Sequence, residues 1–184
     1  MTILVDMDET IEHLLPAWLD FLNAKYGRNV TTDDINNWDL TLFYPGIPAE
    51  EVYDVVNHDD FWKNVKPMEG AAEVLERFIA KGHDVYIVTA TVYQSIRGKM
   101  DYLLFKYFPF LTWQNVIITS RKQLLKADIM IDDGIHNLEG GDYHKILVTA
   151  PYNRKYDAKA NNMVRCNNWK EIEEAVNEFE RSCS

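Results

Sequence analysis

The sequence is poor in cysteine, glycine, proline and positive charge, and it contains no long apolar run. Its two cysteines, Cys166 and Cys183, lie late in the 184 residues and form no metal-ligand pattern. That excludes a disulfide framework and a cysteine-based zinc site, and it suits free thiols in a reducing cytoplasm. Eight Gly and six Pro, with no repeat or low-complexity segment, exclude a fibrous or disordered chain. No stretch approaches the roughly 20 uninterrupted apolar residues that span a bilayer. The start, Met1-Thr2-Ile3-Leu4-Val5-Asp6, has neither a basic region nor an apolar h-region, so a strand is expected there and not a signal peptide. Lys and Arg number 19 against 29 Asp and Glu, and the net charge of −10 argues against long nucleic acid as a partner. A small anionic ligand stays open, because a metal ion and one or two cations reverse the sign of a cleft.

What is present is a rhythm. Ile3-Leu4-Val5, Val85-Tyr86-Ile87-Val88, Val116-Ile117-Ile118, Ile129-Met130-Ile131 and Ile146-Leu147-Val148 have strand length and are apolar on both faces, as buried parallel strands are. Met163-Val164 adds a short edge strand. Between them the spacing predicts helices over Ala71–Ala80, stopped by Lys81-Gly82, and over Tyr93–Phe108, ended by Pro109. A last helix is predicted over Trp169–Arg181 behind the caps Asn167-Asn168. This alternation implies an α/β fold, a doubly wound parallel sheet covered on both faces. The interval 14–66 breaks the rhythm. It shows helical patterns at Pro16–Tyr26, Asp33–Trp38 and Pro48–His58, a turn at Tyr44-Pro45-Gly46 and no strand. It reads as a small helical cap inserted after the first strand, or as one more helical layer, with 1–13 and 67–184 as the core.

In open α/β sheets ligands bind beyond the carboxyl ends of the strands, so those positions matter most. They read Asp6-Met7-Asp8-Glu9-Thr10, then Thr89-Ala90-Thr91, then Thr119-Ser120-Arg121-Lys122, then Asp132-Asp133-Gly134. Four carboxylates, a hydroxyl and an ammonium are thus delivered to one edge. Carboxylates that converge without a cation repel and raise their own pKa values. A hard divalent cation relieves this, and oxygen-only donors favour Mg²⁺ over zinc. Asp6 and the backbone carbonyl of Asp8 can face such an ion while the Asp8 carboxylate stays free for proton transfer. Lys122 and Thr89 remain for a phosphate. Singly, each residue has a plain structural reading as a solvated loop, a turn, a helix cap or a surface lysine. Their order after four successive strands argues for a site.

These segments resemble the four motifs of the haloacid-dehalogenase-like superfamily, and the helical insert is similar to its type-1 cap. More narrowly, the chain resembles the 5'(3')-deoxyribonucleotidases. The segments that carry this are Leu4-Val5-Asp6-Met7-Asp8, Phe61-Trp62 ahead of Pro67-Met68-Glu69-Gly70-Ala71, and Val88-Thr89-Ala90-Thr91. Tyr107-Phe108-Pro109-Phe110, the run Arg121 to Asp133, and Val148-Thr149-Ala150 with Asn153 extend the likeness. The resemblance implies Asp6 as nucleophile and Asp8 as general acid/base. Thr89, Ala90, Thr91 and Lys122 would serve the phosphate, and Mg²⁺ would be bound by Asp6, Asp8, Asp132 and Asp133. Asp132 is expected as the direct ligand, with Asp133 acting through water or orienting Lys122. Leu14, Trp38, Phe61 and Trp62 are candidates to line an apolar slot for a nucleobase, a deoxynucleoside monophosphate being the implied substrate. The family also suggests a homodimer. One departure is Glu9, where the superfamily usually has Gly; its side chain points outward or narrows the entrance.

Other readings stay open at this level. The same residues suit a phosphatase for a sugar phosphate, or a phosphomutase. An inactive nucleotide-sensing domain would keep the fold without turnover. A receiver-type signalling domain is opposed by the motif order, because the third strand here ends in Arg121-Lys122.

Overall fold

A computed structural model describes residues 1–183. Six parallel strands form one sheet: β1 (Thr2–Val5), β2 (Asp84–Thr89), β3 (Val116–Ile118), β4 (Ile129–Asp132), β5 (His144–Val148) and β6 (Met163–Cys166). Their order is β3-β2-β1-β4-β5-β6, so the chain reverses direction across the sheet at β1. β1 lies between β2 and β4, with Val5 level with both Ile87 and Ile131. This register brings Asp6, the next residue of β1, level with Asp132, and the Asp6 N–H bonds the Ile131 carbonyl at 2.8 Å. Two carboxylates thereby meet at the switch point, where ligands of open α/β sheets bind.

Successive side chains of β1 point to opposite faces, and each face has its own core. Ile3 and Val5 join Val74, Leu75 and Phe78 of α4 (Ala71–Ala80) and Ile172 and Val176 of α8 (Trp169–Cys183). Leu4, Val88, Met130 and Leu147 face the other way, onto Leu138 of the single-turn α7 (Ile135–Leu138) and onto Ala158. The second face is covered by short turns because its connections are short. The sheet is doubly wound, with one face more thickly covered than the other.

The α4 and α8 expectations hold closely. Gly82, with φ +86°, stops α4. Asn168 caps α8 through the Glu171 N–H at 3.0 Å while Glu171 reaches back to the Asn167 N–H at 2.7 Å, a reciprocal cap. The predicted 93–108 helix is not one regular α-helix. Its turns are 3₁₀ at Tyr93–Ser95, α at α5 (Ile96–Lys99), π at Met100–Leu104 and α again at α6 (Phe105–Tyr107).

Between β1 and β2 lie α1 (Leu14–Tyr26), α2 (Ala49–Tyr53) and α3 (Asp59–Trp62), with 3₁₀ turns at Leu40–Phe43 and Asp54–Asn57. Two expectations need correction here. Residues Asp33 to Trp38 form turns, because Asp34 takes both the Thr31 N–H and hydroxyl at 2.8 Å and Asn37 takes the Asp39 N–H at 2.9 Å. Such side chains compete with the helical backbone bonds. The Pro48–His58 pattern splits into α2 and a 3₁₀ turn before His58. Cys166 is buried and Cys183 exposed, and both are free. Among the described residues no helix is long and apolar enough to cross a membrane.

Candidate active site

The carboxyl ends of the strands form the floor of a cavity of about 720 Å³, and the segment between β1 and β2 supplies the opposite wall. Asp6, Asp8, Lys122 and Asp133 line the floor, with Ala90 and Thr91 beyond β2. Leu14, Leu15, Trp18, Trp38, Tyr53 and Trp62 form the apolar wall. The volume falls in the range of small-molecule sites, roughly 300–1,000 Å³.

Lys122 stands at the centre of the floor, buried on a 3₁₀ turn after β3. Its ammonium bonds Asp6 Oδ1 in a short contact and Asp132 Oδ2 at 2.8 Å. Burial works against its charge, yet the two carboxylates hold its pKa above the ordinary lysine value. The Asp6 carboxyl is pushed up to about 6, first by burial, with Asp132 and Asp8 adding to the effect and Lys122 opposing it. Asp132 is fully engaged: its Oδ1 accepts from the Gly134 N–H at 2.7 Å and from Asn137 at 3.0 Å. Asp133 accepts from the Tyr152 hydroxyl in a short contact and from Thr10 at 3.4 Å. Burial, then Asp132 and Asp6, raise its carboxyl well above the usual range. Carboxylate oxygens of Asp6, Asp132 and Asp133 lie within 4.8 Å of one another. Three buried acids against one lysine leave negative charge uncompensated, and an all-oxygen donor set suits a hard divalent cation.

Asp8 is turned away from that cluster. Its carboxylate is paired with Lys99, whose Nζ lies 2.6 Å from Oδ1 and 2.7 Å from Oδ2. Burial alone would raise the Asp8 pKa, but Lys99 and the adjoining Glu12 hold it below the ordinary value. Glu12, fully buried, is driven well above the carboxylate range by burial and by Asp8. The two shifts run in opposite directions, so a proton is held more readily by Glu12 than by Asp8.

The usual Gly position after Asp8 holds Glu9 at φ +52°, a left-handed conformation uncommon for a residue with a side chain. Glu9 is buried and points inward, under the wall. Its Oε1 accepts the Leu15 N–H at 2.6 Å, which satisfies an orphan donor at the start of α1, where His13 offers no side-chain cap. Burial lifts its carboxyl to about 7.

Of the residues singled out in the sequence, Asp6, Asp8, Lys122, Asp133, Ala90, Thr91, Leu14, Trp38 and Trp62 face the cavity. Thr89 and Asp132 are fully buried behind the floor. Trp38 is 62% exposed and sits edge-on to His136 at 6.5 Å, at the rim. Phe61 does not line the slot. It is packed inside the helical layer against Trp18, Phe21 and Trp62, and of the pair only Trp62 faces the cavity. In a single helical turn two neighbouring rings point about 100° apart, so only one can face the cavity. Sequence reasoning missed Lys99, Tyr152, Trp18 and Glu12. For Lys99 there was a signal: with Ile96, Met100, Leu103 and Leu104 it occupies one stripe at helical spacing, a lone charge on an apolar face.

With this geometry established, the chain can be compared with known proteins. Residues 1–180 match the family described as 5' nucleotidase, deoxy (pyrimidine), cytosolic type C protein. The chain belongs to this nucleotidase family. It is 36% identical over 173 residues to the 5'(3')-deoxyribonucleotidases of Bacillus subtilis (strain 168) and of Bacillus phage SPbeta, covering 93% of this chain and 95% of each. The 5'(3')-deoxyribonucleotidase of Clostridium acetobutylicum is 31% identical over 170 residues, 92% of this chain and 91% of its own. Among solved structures, a haloacid dehalogenase-like family hydrolase from Streptococcus pneumoniae superposes with TM-score 0.67 at 12% identity, covering 95% of this chain and 97% of that one. A HAD family hydrolase from Deinococcus radiodurans R1, solved with bound phosphate and sodium, gives TM-score 0.59 at 16% identity over 97% and 96%. At such identities the structures establish the fold, and it is the haloacid-dehalogenase-like fold. The relatives and the family together make the chain a phosphatase of the nucleotidase class.

Proposed function

We propose that this nucleotidase hydrolyses deoxyribonucleoside 5'(3')-monophosphates through an aspartyl-phosphate on Asp6. The observation that carries this reading is the cavity itself, which joins a floor of acids and lysines to an aromatic wall. A phosphate suits the floor, and a flat apolar base suits Trp18, Tyr53, Trp62 and Trp38, since base–aromatic stacking contributes roughly 1–3 kcal/mol per base. Residues 14–66 act in this reading as the cap that selects the substrate.

Asp6 attacks phosphorus as Asp8, protonated at that moment from the adjoining Glu12, gives its proton to the departing sugar oxygen. Asp8, left as a carboxylate, then takes a proton from the water that hydrolyses the acyl phosphate. Lys122 offsets charge on Asp6 and on the phosphoryl oxygens, where most transition-state charge resides. Mg²⁺ fits the donor set and would be held by Asp6, Asp133 and the Asp8 carbonyl, and when bound it would supply positive charge facing the phosphate. We assign Asp133 as the direct carboxylate ligand and Asp132 as the holder of Lys122, the reverse of the expectation from sequence. What supports this is that Asp132, fully buried, holds Lys122, Asn137 and the Gly134 N–H, whereas Asp133 lines the cavity. The cytoplasm, with Cys166 and Cys183 reduced, is the compartment that suits such a chain.

The test is phosphate release from a panel of deoxynucleoside monophosphates, ribonucleoside monophosphates and sugar phosphates, with Mg²⁺ and with EDTA. Release that depends on the metal and favours deoxynucleotides is expected. Release confined to sugar phosphates would discard the nucleotide assignment and keep the chemistry.

A further inference from the structure

Lys99 has no part in the motif set, yet it is the second buried cation of the site. It is 1% exposed, on the last residue of α5, immediately before the π turn Met100–Leu104. Widened turns of this kind appear often at functional sites, because they re-aim the flanking side chains. Here Lys99 reaches inward between β1 and β2. It contacts both Asp8 oxygens, at 2.6 and 2.7 Å, and donates to Thr89 Oγ1 at 2.8 Å. Its ammonium carries three protons and no acceptor.

That arrangement dictates the direction of the next hydrogen bond. Thr89 Oγ1 accepts from Lys99, and a hydroxyl has one proton to give. The Thr89 proton is therefore kept off Lys99 and left for another acceptor behind the cavity floor. The other end of the clamp fixes the Asp8 rotamer with an ion pair. α3 closes the clamp from above: the Trp62 ring lies over the ammonium at 5.4 Å. Gly98 makes room for that ring, since a Cβ there would stand 2.6 Å from Trp62 Cδ1. The lysine, buried at the cavity edge, lies under the same tryptophan that lines the cavity.

We propose that Lys99 is a positioning residue: anchored on the buried Thr89 hydroxyl, it holds the Asp8 carboxylate by an ion pair and aims it at the leaving oxygen. The proposal rests on the assignment of Asp8 as general acid. In the step concerned, the Asp6–phosphorus bond forms, the phosphorus–sugar oxygen bond breaks, and the Asp8 proton goes to that oxygen. Lys99 keeps its protons throughout and stabilises the Asp8 carboxylate that results.

The experiment compares kcat/KM for a deoxynucleoside monophosphate with kcat/KM for p-nitrophenyl phosphate, in the native chain, Lys99→Met, Lys99→Gln and Asp8→Asn. Both constants report the first chemical step, and p-nitrophenolate leaves without needing a proton. The ratio of the two is independent of how much of a variant is folded. Lys99→Met should lose on the order of 10²-fold on the deoxynucleotide, the low end of a general-acid contribution. Its loss on the activated ester should be at least tenfold smaller, with KM for the nucleotide little changed. Lys99→Gln, which can still donate to Thr89 but carries no charge, should fall between. Equal losses on both esters would make Lys99 merely structural and overturn the proposal, as would no loss on either. If Asp8→Asn shifts the ratio and Lys99→Met does not, the positioning role alone fails. If Asp8→Asn leaves the ratio unmoved, the general-acid assignment falls and the proposal falls with it.

Discussion

Asp6→Asn is expected to abolish turnover, by ~10⁴-fold or more, the scale seen when a covalent nucleophile is removed. The amide keeps the shape of the side chain and loses the charge that attacks phosphorus. The variant should nevertheless fold. Asp6 is a buried acid whose carboxyl is raised to about 6, chiefly by burial, against 3.8 for a free carboxyl. The sign of its linkage follows. In the folded chain it holds a proton over a range where the unfolded chain has released it, so ionisation of Asp6 costs stability. For the metal-free protein that cost is absent below about pH 4 and complete above about pH 6. In EDTA at pH 8, Asp6→Asn should therefore melt no lower than the native chain. A variant that melts far lower would show that Asp6 holds the fold together, and its inactivity would say nothing about chemistry.

Lys122→Met is the opposite case. The ammonium is buried between Asp6 and Asp132, and its loss leaves those two and Asp133 with no cation inside the cluster. Breaking a buried pair by removing one partner costs about 3–5 kcal/mol. Denaturation in EDTA should show a loss of that size, together with a fall in activity of at least ~10²-fold. Added Mg²⁺ should restore part of the stability in a concentration-dependent way, because a ligand that binds only the folded state stabilises it. Unchanged stability in EDTA would mean that the acids are already neutral without Lys122, and the charge balance described above would be wrong.

The contrast between these two variants explains what was legible in the sequence. Strand ends were legible because chemistry concentrates there: Asp6, Thr89, Lys122 and Asp132 each follow a run whose apolar character on both faces is unmistakable. The parallel register then sets Asp6 beside Asp132 without further information. Residues whose role depends on tertiary approach were not legible. Lys99 lies in a stretch that reads as an ordinary amphipathic helix, and only the tertiary placement of α5, packed against α3, delivers it to Asp8 and Thr89. Tyr152 comes from the loop after β5 and meets Asp133 across the sheet edge. Glu9 looked like an intrusion at the entrance because its second task, capping α1, requires the chain to fold back over itself. The Asp33–Trp38 segment failed for a local reason, since its polar side chains bond the backbone that a helix needs. Of the expected pair Phe61 and Trp62 only Trp62 reaches the cavity, as a one-turn helix has no room for two rings on the same side.

The central claim is covalent catalysis by Asp6, and acid-quenched single turnover tests it most directly. A deoxynucleoside monophosphate labelled in its phosphate is mixed with excess enzyme and stopped within one turnover. The account predicts protein-bound label that hydroxylamine releases, maps to the peptide containing Asp6, and is missing from Asp6→Asn. Turnover with label-free protein at every quench time, or label on another residue, would contradict it.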